Sequence, residues 1–410
     1  MSASLHPTLE KERIQSLDIL RGIAILGILI MNIQGFAMPG AAYLNPTAFG
    51  DLTGVNYWVW MISHVFADQK FMTIFSILFG AGVVLVTQKA EQREGKSAGL
   101  HYKRTFWLLI IGLLHAHLIW YGDILVAYAL CAFIVFLFRK LSARKLFIFG
   151  LTWISVHTLI YLFFGYSLQL MPAEALEELR TSIWNPGVVA TNEEISAVTG
   201  SLPEQITHNS EAALTMQTMV FATVMFWRAG GLMLVGMALY KWGVLSASRS
   251  AAFYKRGMIL GFLTGLPIII WGVVQHAEAD WAFEYSMFGG SQFNYYGSLG
   301  VSFAYICAIM LFAKSRGFQK LKERFAAIGQ MALTNYIMQS VIGVFLFYGV
   351  GFGLFAQFER YEQVFVVFGI WVLQFLWSKH WLTRFRFGPL EWVWRSLTYW
   401  KFQPMKKNVS

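Results

Sequence analysis

Long apolar segments recur along the whole chain at the length that a membrane-crossing helix requires. A helix needs about 20 mostly apolar residues to cross the hydrocarbon core of a bilayer. Ten such segments are present, each ended by charged or turn-forming residues, and they cover 16–36, 69–87, 105–121, 123–138, 146–168, 214–240, 257–275, 295–313, 326–349 and 363–378. A shorter apolar stretch at 54–66 fits a partial or interfacial helix that leads into the second segment. The pattern predicts an all-α, polytopic transmembrane helix bundle of about ten spans.

The composition excludes a set of water-soluble domains. Of the 410 residues, 57% are hydrophobic and only 13% are charged, whereas a soluble domain carries about 25% charged residues. Cys131 and Cys307 lie inside predicted spans and far apart in the chain, so neither a disulfide framework nor a metal knuckle is expected. The sequence contains no phosphate-binding loop, His–Glu metal motif or serine nucleophile elbow, and no metal or nucleoside triphosphate chemistry is predicted.

The basic residues fall almost entirely in alternate gaps between the predicted spans. With the N-terminus placed in the cytoplasm, all of the 32 Lys and Arg residues except Lys70, Arg180, Arg228 and Arg360 lie on the cytoplasmic side. This is the positive-inside distribution of membrane proteins, and it predicts that both termini are cytoplasmic. The net charge of +10 therefore indicates topology and an attraction to anionic lipid, not nucleic-acid binding.

The predicted topology divides the chain into four parts. An N-terminal five-helix half covers 1–168, and an extracytoplasmic loop rich in glutamate covers 169–213. A C-terminal five-helix half covers 214–378, and a cytoplasmic tail that interleaves aromatic and basic residues covers 379–410. Such a tail is typical of a helix that lies in the membrane interface. The loop is predicted either as a lid over an outward-facing cavity or as a solvated connection.

Ionisable side chains at membrane depth are costly, so each one is a candidate for function. At 1.5 Å per helical residue, Asn32, Lys70, His115 and Asp123 lie at similar depth in the outer part of the first four predicted spans. A histidine with a carboxylate beside it is the usual arrangement of a general base, and a cation such as Lys70 stabilises a developing oxyanion. The alternative is structural: His115 bonds to a neighbouring helix, and Asp123 pairs with Lys70.

Other polar residues are predicted to bind substrate or to join helices. Arg228 lies deep in the sixth predicted span and must be paired or face water. Asn335 and Gln339, one helical turn apart in the ninth span, suit interhelical hydrogen bonds and are also candidates for substrate contacts. Two structural ion pairs are expected between residues three or four apart on one helical face: Asp18 with Arg21, and Glu391 with Arg395.

Short motifs spread over nearly the whole chain carry a family resemblance. They are LDILRG at 17–22 followed by Asn32, LFGAG at 78–82, GDIL at 122–125, MALTNY at 331–336 and GPLEWVWR at 388–395. In this order they resemble the YeiB-like family of bacterial inner-membrane proteins, which carries a domain-of-unknown-function label. The first element alone is shared more widely, and the set together is specific.

The resemblance implies an activity as well as a fold. The YeiB-like family is similar to the transmembrane acyltransferase superfamily, which includes heparan-alpha-glucosaminide N-acetyltransferase. The implied reaction moves an acyl group from a cytoplasmic thioester donor, such as acetyl-coenzyme A, to an extracytoplasmic acceptor. The related polysaccharide acyltransferases have a histidine where this sequence has Asn32. A neutral amide cannot act as a general base, so His115 would have to serve instead, with Asp123 as its orienting acid.

Two further classes of function remain open at the level of sequence. A transporter or exporter of a small molecule would use Arg228, Lys70 and Asp123 as the charges along its path, and a scaffold would use none of them for chemistry. The expected partners are the lipid bilayer, an acyl-coenzyme A donor and an extracytoplasmic acceptor. A homodimer is compatible with the sequence, which specifies neither the acceptor nor the oligomeric state.

Overall fold

The computed structural model of the chain describes residues 13–94 and 97–407. The predicted cytoplasmic residues Lys11 and Lys96 lie outside this part of the chain. Within it the chain forms helices joined by short connections, and its only β-type pairing is an isolated bridge between Phe385 and Lys406. The all-α prediction is therefore confirmed.

The described part of the chain contains α-helices of very different lengths, and several are continued by π-helical or 3₁₀ turns. In chain order they are α1 (Gln15–Ala37), α2 (Ala41–Leu44), α3 (Gly54–Phe66), α4 (Lys70–Glu94), α5 (Ala98–Leu118), α6 (Leu125–Val135), α7 (Ala143–Ser167), α8 (Ala173–Leu179), α9 (Gly187–Thr199), α10 (Leu202–Thr215), α11 (Phe226–Lys241), α12 (Ala251–Glu278), α13 (Ser291–Lys314), α14 (Gln319–Gln330), α15 (Ala332–Phe347), α16 (Arg360–Arg384) and α17 (Pro389–Tyr399).

Each predicted span corresponds to a helix, but the helices differ in how well they suit a bilayer. Seven helical runs of the described residues are long and apolar enough to cross a membrane. The number becomes eight if α14 and α15, which meet at 78°, form one broken span. The other two predicted spans correspond to α5 and to a shorter apolar helix at Leu125–Phe138. The chain is a multi-pass helical membrane protein, and the count of ten stays a prediction.

Two of the predicted boundaries differ from the structure because they fall inside helices. α10 continues through a π-helical segment, Met216–Met225, into α11, so one helical run covers Leu202–Lys241 and crosses the boundary at 213–214. α16 runs to Arg384, past the predicted end of the last span at 378. Polar residues mark where a helix leaves the hydrocarbon, but the backbone hydrogen bonds that define the helix continue beyond that point.

The segment at 169–213, predicted as a lid or a solvated loop, is folded over one end of the bundle. It contains α8, α9 and most of α10. The Gly40 N–H donates to the Glu194 carboxylate at 2.9 Å, and the Gly349 N–H donates to the Val198 carbonyl at 3.1 Å. These bonds attach α9 to the chain just after α1 and α15. We call this end of the bundle the covered end.

The opposite end of the bundle, where α1 begins and α4 finishes, is the basic end, marked by Arg21, Arg104 and Arg395. Here α1 and α14 approach closely. A Cβ atom on Gly22 would lie 2.0 Å from the Phe325 carbonyl oxygen. Small residues at helix crossings let two backbones come together. The glycine of the LDILRG motif is therefore a packing residue.

Candidate functional site

His115 and Asp123 form a buried hydrogen-bonded pair between α5 and the start of α6. His115 Nδ1 lies 2.7 Å from Asp123 Oδ2, and each side chain is only 1% exposed. The second carboxylate oxygen, Asp123 Oδ1, accepts from the Val126 N–H at 2.8 Å. Asp123 thus satisfies a free backbone donor in the first turn of α6. The two bonds hold the carboxylate in place, so it can orient the imidazole.

The other ring nitrogen of His115, Nε2, is buried and has no hydrogen-bond partner among the described residues. A carboxylate at Nδ1 favours the tautomer that carries its proton there, which leaves a lone pair on Nε2. Buried polar atoms are normally satisfied, and an unpaired one in a native structure is a candidate for a ligand contact or a catalytic role. His115 therefore has the arrangement of a general base, with a free lone pair on Nε2 that can accept a proton.

A cavity of about 270 Å³ extends from the basic end of the bundle to the neighbourhood of this pair. Its inner end is lined by Ile124, Leu125 and Tyr336, and its middle is mainly apolar. The Tyr336 ring lies 5.3 Å from the His115 ring, centroid to centroid, and the Tyr336 hydroxyl accepts from the Ile124 N–H at 3.2 Å. Tyr336 therefore stands between the cavity and the imidazole.

The mouth of the cavity carries an excess of positive charge. Arg104 and Arg395 line it, and in the described part of the chain neither forms an ion pair; their guanidinium carbons lie over Trp394 (4.4 Å) and Phe387 (4.6 Å). Burial and the nearby charges of Arg104 and Arg13 lower the pKa of Arg395 to about 10. A bound anion would relieve this repulsion, so the mouth is suited to an anionic group.

Asp18 and Arg21 lie at the rim of the same cavity and contact each other. Arg21 Nη1 donates to Asp18 Oδ1 at 3.0 Å, and Arg13 lies 3.7 Å from the second oxygen of Asp18. Arg21 also donates to the Gly329 carbonyl at 3.4 Å. The charged residues of α1 thus bind one another and the end of α14, which fixes the rim.

Glu391 does not pair with Arg395, contrary to the sequence prediction. Its Oε1 accepts from the N–H groups of Leu333 (2.6 Å) and Thr334 (3.1 Å), and its Oε2 accepts from the Thr334 hydroxyl at 2.6 Å. These N–H groups begin α15 and have no partner within that helix. A carboxylate at a helix N-terminus is also favoured by the helix dipole. Burial raises the pKa of Glu391 even so.

The structure separates Lys70 from His115 and Asp123, so the predicted group of four residues is divided. Lys70 Nζ donates to the His64 carbonyl at 2.7 Å and to Asn294 Oδ1 at 2.6 Å. The predicted pair between Asp123 and Lys70 does not form either, because the Asp123 oxygens bind His115 and the start of α6. Lys70 belongs to a different polar network.

Asn32 lies on the face of α1 that lines the cavity. It lies eleven residues after Arg21 and four after Ile28, and these spacings place all three on one face of α1. Arg21 and Ile28 line the cavity, and Asn32 is half-buried. The same spacing of eleven residues separates Arg104 from His115 on α5. Two helices that line the cavity thus each carry a cation at the mouth and a polar residue eleven positions further along.

Arg228 is buried beside Lys70. Among the described residues its terminal nitrogens bond only to neutral groups, and its Nε has no partner. Nη1 donates to the Tyr295 carbonyl at 3.0 Å, and Nη2 donates to the hydroxyls of Thr73 (3.0 Å) and Ser298 (2.7 Å). The guanidinium also lies over the Tyr295 ring at 4.4 Å. We call the set formed by this arginine, Lys70 and their polar partners the Lys70–Arg228 cluster; its members are His64, Asp68, Lys70, Thr73, Arg228, Asn294, Tyr295 and Ser298.

Asn335 and Gln339 join helices. Asn335 Nδ2 donates to the Ile328 carbonyl and to the Ser378 hydroxyl, both at 3.1 Å. Gln339 Nε2 donates to the Ile25 carbonyl at 3.2 Å and to Gln374 Oε1 at 3.0 Å. These bonds connect α15 with α1 and α16. Of the two predicted roles, the contacts match interhelical hydrogen bonding and leave these amides away from the cavity lining.

Sequence analysis did not select Tyr336, Arg104 or Arg395 as a group, although they shape the cavity. Tyr336 closes the MALTNY motif, which is the one signal in the sequence that pointed to it. Arg104 was counted only among the cytoplasmic charges, and Arg395 was counted there and assigned to an ion pair with Glu391. Their approach depends on the docking of α17 against α5, where Trp394 Nε1 donates to the Arg104 carbonyl at 2.9 Å.

The family model matches the C-terminal part of the chain, and the relatives align over nearly all of it. Residues 239–401 match the family described as a protein of unknown function, DUF418. The chain is 32% identical to uncharacterized protein YeiB of Escherichia coli (strain K12) over 390 residues, which cover 94% of this chain and 96% of YeiB. It is 30% identical to uncharacterized protein YxaH of Bacillus subtilis (strain 168) over 429 residues, or 99% of each chain.

A further relative, an uncharacterized 39.9 kDa protein in the amylase 3' region of Bacillus acidopullulyticus, is 26% identical over 401 residues and 96% of each chain. All these alignments extend over the helices that carry His115, Asp123 and the cavity. The family expected from the motifs is therefore confirmed. The chain belongs to the DUF418 family of YeiB-like membrane proteins.

Proposed function

We propose that the protein is a membrane acyltransferase that moves an acyl group from a thioester donor at the basic end to an acceptor at the covered end. The observation that carries this proposal is the buried pair of His115 and Asp123. In the part of the chain that the structure describes, His115 Nε2 has no partner, and the pair lies beside the inner end of a cavity with a basic mouth.

The proposed binding site of the acyl donor is the cavity. A coenzyme A thioester has anionic phosphates at one end and an acyl chain at the other. The phosphates would lie against Arg104 and Arg395, because charge-assisted bonds between guanidinium and phosphate are strong and directional. The acyl end would extend along the apolar walls towards Tyr336. Acetyl-coenzyme A is the simplest donor of this class.

The proposed orientation follows from the distribution of basic residues. The basic end faces the cytoplasm under the positive-inside rule, and there it meets acyl-coenzyme A. The covered end then faces outwards and receives the acceptor. For a bacterial chain, as the relatives suggest, the membrane would be the inner membrane.

In the proposed reaction His115 Nε2 takes the proton of the acceptor as its nucleophilic atom attacks the thioester carbonyl. A bond forms between the acceptor and the acyl carbon, the carbon–sulfur bond breaks, and the departing thiolate receives the proton from the imidazolium. Asp123 stabilises that imidazolium and holds its ring. The Asn32 side-chain amide donates to the oxyanion. General-base catalysis of this kind contributes about 10²- to 10⁴-fold.

Access to the imidazole requires a movement of Tyr336. Its ring separates His115 from the cavity, and its hydroxyl is bonded to the Ile124 N–H. We infer that donor binding displaces this ring. A Tyr336→Phe variant loses the hydrogen bond to the Ile124 N–H but keeps the aromatic ring. We expect that ring to move more readily and still to exclude water from His115.

The test is transfer and hydrolysis of radiolabelled acetyl-coenzyme A by the purified protein in lipid nanodiscs. We expect His115→Gln to lose activity at least 100-fold. The matched control is His117→Gln, two residues along α5 and about 200° around the helix, where the ring is half-buried and lies within hydrogen-bond distance of Gln217 Nε2 at 3.4 Å. Wild-type protein that binds no acetyl-coenzyme A would contradict the proposal, and so would equal activity of both variants.

Transport of a small molecule is the second candidate function. The observation in its favour is that Lys70 and Arg228 are 0% and 1% exposed at membrane depth, with Asp68 as the one carboxylate in their network. Solute uptake into proteoliposomes that Arg228→Lys abolishes and His115→Gln leaves intact would favour transport over acyl transfer.

A further inference from the structure

A second group of polar side chains meets at the covered end of the bundle, close to His115 and Asp123. We call it the covered-end cluster, and its members are Tyr121, Glu194, His208, Asn209 and Tyr348. Tyr121 precedes Asp123 by two residues, and Asn209 Nδ2 donates to the Ile119 carbonyl at 3.1 Å. The Ile119 N–H bonds in turn to the His115 carbonyl at 3.0 Å. The cluster is therefore attached to the turn of α5 that carries the imidazole.

Several polar atoms of this cluster are buried without a partner in the described part of the chain. They are the Tyr348 hydroxyl, Asn209 Oδ1 and His208 Nε2. Tyr348 and Asn209 are 1% and 2% exposed. A buried polar atom without a hydrogen bond costs about 1–3 kcal/mol, so three such atoms on residues grouped around Tyr121 and the end of α5 favour a ligand or water that satisfies them.

Glu194 supplies the charge of the cluster. Its carboxylate accepts from the Gly40 N–H at 2.9 Å, and no Lys, Arg or His of the described residues forms an ion pair with it. It lies close enough to the Tyr121 and Tyr348 hydroxyls to act on both electrostatically. Burial raises the pKa of Glu194, which indicates a carboxylate that lacks a compensating cation.

We propose that the covered-end cluster binds the ammonium group of an organic cation, with Glu194 as its counter-ion. An alkylammonium group carries three N–H donors and no acceptor. The Glu194 carboxylate, Asn209 Oδ1 and the Tyr348 hydroxyl provide three acceptors. The Tyr121 ring adds a π face for the cation, with the His208 ring edge-on to it at 5.8 Å. The positive charge and three N–H donors of the ligand therefore match the carboxylate and the three acceptors of the cluster.

The ammonium site lies close to His115 and Asp123, so we infer that its ligand is the acyl acceptor. This assignment rests on the acyl transfer proposed above. A primary amine held at Glu194 would lie beyond His115 on the side away from the donor cavity. After loss of one proton to solvent, its nitrogen would attack the thioester carbonyl, and its second proton would pass to His115 Nε2. An amide bond forms, the carbon–sulfur bond breaks, and the thiol leaves with that proton. A quaternary ammonium ion would bind without reacting.

Calorimetric titration of the purified protein in nanodiscs tests the site without any acyl donor. The probes are ethanolamine, its neutral analogue ethylene glycol, and tetramethylammonium, which has the charge but no N–H donors. We expect ethanolamine to bind, ethylene glycol not to bind, and tetramethylammonium to bind at least tenfold more weakly than ethanolamine. Binding of ethanolamine should strengthen as the pH rises through the pKa of Glu194, because only the carboxylate attracts the cation.

The variant for this test is Glu194→Gln, which still accepts from the Gly40 N–H but has no charge. It should weaken ethanolamine binding at least tenfold. The matched control is Glu193→Gln, the preceding residue on α9, which is exposed and should have no effect. Retained binding of acetyl-coenzyme A shows that Glu194→Gln is folded.

Two results would overturn the ammonium site: equal binding of ethanolamine and ethylene glycol, or an unchanged affinity in Glu194→Gln. Equal affinities for ethanolamine and tetramethylammonium would overturn the role of the three acceptors. The outcomes for the two proposals are separable. Ethanolamine binding without any turnover of acetyl-coenzyme A would support the ammonium site and contradict acyl transfer.

Discussion

Two buried polar groups of this protein differ in the kind of nitrogen that is left without a partner and in whether it lies near a cavity. In the Lys70–Arg228 cluster, Lys70 Nζ and both terminal nitrogens of Arg228 donate to carbonyl, amide or hydroxyl oxygens of neighbouring helices. In the His115–Asp123 pair, one ring nitrogen is left without a partner beside a cavity. Both groups contain charge at membrane depth. Among the described residues Arg228 Nε also has no partner, but it is an N–H donor and Arg228 does not line the cavity, whereas His115 Nε2 is an acceptor beside it.

The difference shows why depth and charge alone do not identify a functional site in a membrane protein. A buried cation whose terminal nitrogens bond to neighbouring helices holds those helices together, and its removal breaks these bonds. A buried base with a free lone pair adds little to packing but can accept a proton. We therefore expect substitutions in the first group to act mainly on folding and substitutions in the second to act mainly on turnover.

The largest expected effect is that of Arg228→Met on stability. The change removes three hydrogen bonds from a buried charged donor, each worth about 1.5–3 kcal/mol. We expect a marked fall in Tm of the detergent-purified protein and less protein in the membrane. The control is Arg249→Met, at an exposed position of the basic end. An unchanged Tm for Arg228→Met would contradict the structural role of the Lys70–Arg228 cluster.

Asp123→Asn should affect turnover rather than folding. The asparagine oxygen still accepts from the Val126 N–H, so the start of α6 is retained. Its amide would donate to His115 Nδ1, which moves the imidazole proton to Nε2 and removes the free lone pair. We expect acetyl transfer to fall by about 10²- to 10⁴-fold with little change in Tm. A parallel loss of Tm and activity would show that the pair is structural, like the Lys70–Arg228 cluster.

Arg395→Gln should weaken donor binding without an effect on the pair of His115 and Asp123. Charge-assisted hydrogen bonds are worth about 1.5–3 kcal/mol, so we expect the Kd for acetyl-coenzyme A to rise about tenfold or more. The control is Lys401→Gln, an exposed residue of the same tail that does not line the cavity. If both variants bind the donor equally well, the basic mouth is not the phosphate site.

Glu391→Gln is expected to have the smallest effect and the opposite sign. Glutamine keeps an acceptor for the first turn of α15 but removes a negative charge near Arg395, so donor affinity should increase about two- to fivefold. Burial raises the pKa of Glu391 above its ordinary value, so the wild-type carboxyl takes up a proton as the pH falls through that raised pKa. Wild-type affinity should then approach that of the variant. A wild type and variant that differ equally at every pH would contradict this role.

The parts of the site that sequence analysis predicted are those whose residues lie close together in the chain. His115 and Asp123 are eight residues apart, at the end of one predicted helix and the start of the next. A short turn between two antiparallel helices brings such residues together whatever the rest of the fold does. The ion pair of Asp18 with Arg21 likewise needs only one turn of a helix.

The parts that sequence analysis missed depend on contacts between distant segments. Lys70 bonds to Asn294, 224 residues later in the chain, and not to Asp123. Glu391 bonds to the start of α15, 57 residues earlier, because the break between α14 and α15 exposes backbone donors there. The Glu391–Arg395 spacing is favourable within a helix, but free N–H groups of another helix compete for the same carboxylate.

Hydrophobic periodicity and charge therefore determined by themselves that this chain is an all-α, multi-pass membrane protein, and the motifs determined its family. Both are properties of local segments, since each helix must satisfy its own backbone in the bilayer. The tertiary structure alone decided which polar groups meet. It gave partners to Lys70 Nζ and to the terminal nitrogens of Arg228, left His115 Nε2 free beside a cavity, and brought Glu194 of α9 to the Gly40 N–H. Side-chain partners are set by the packing of helices that are far apart in the sequence.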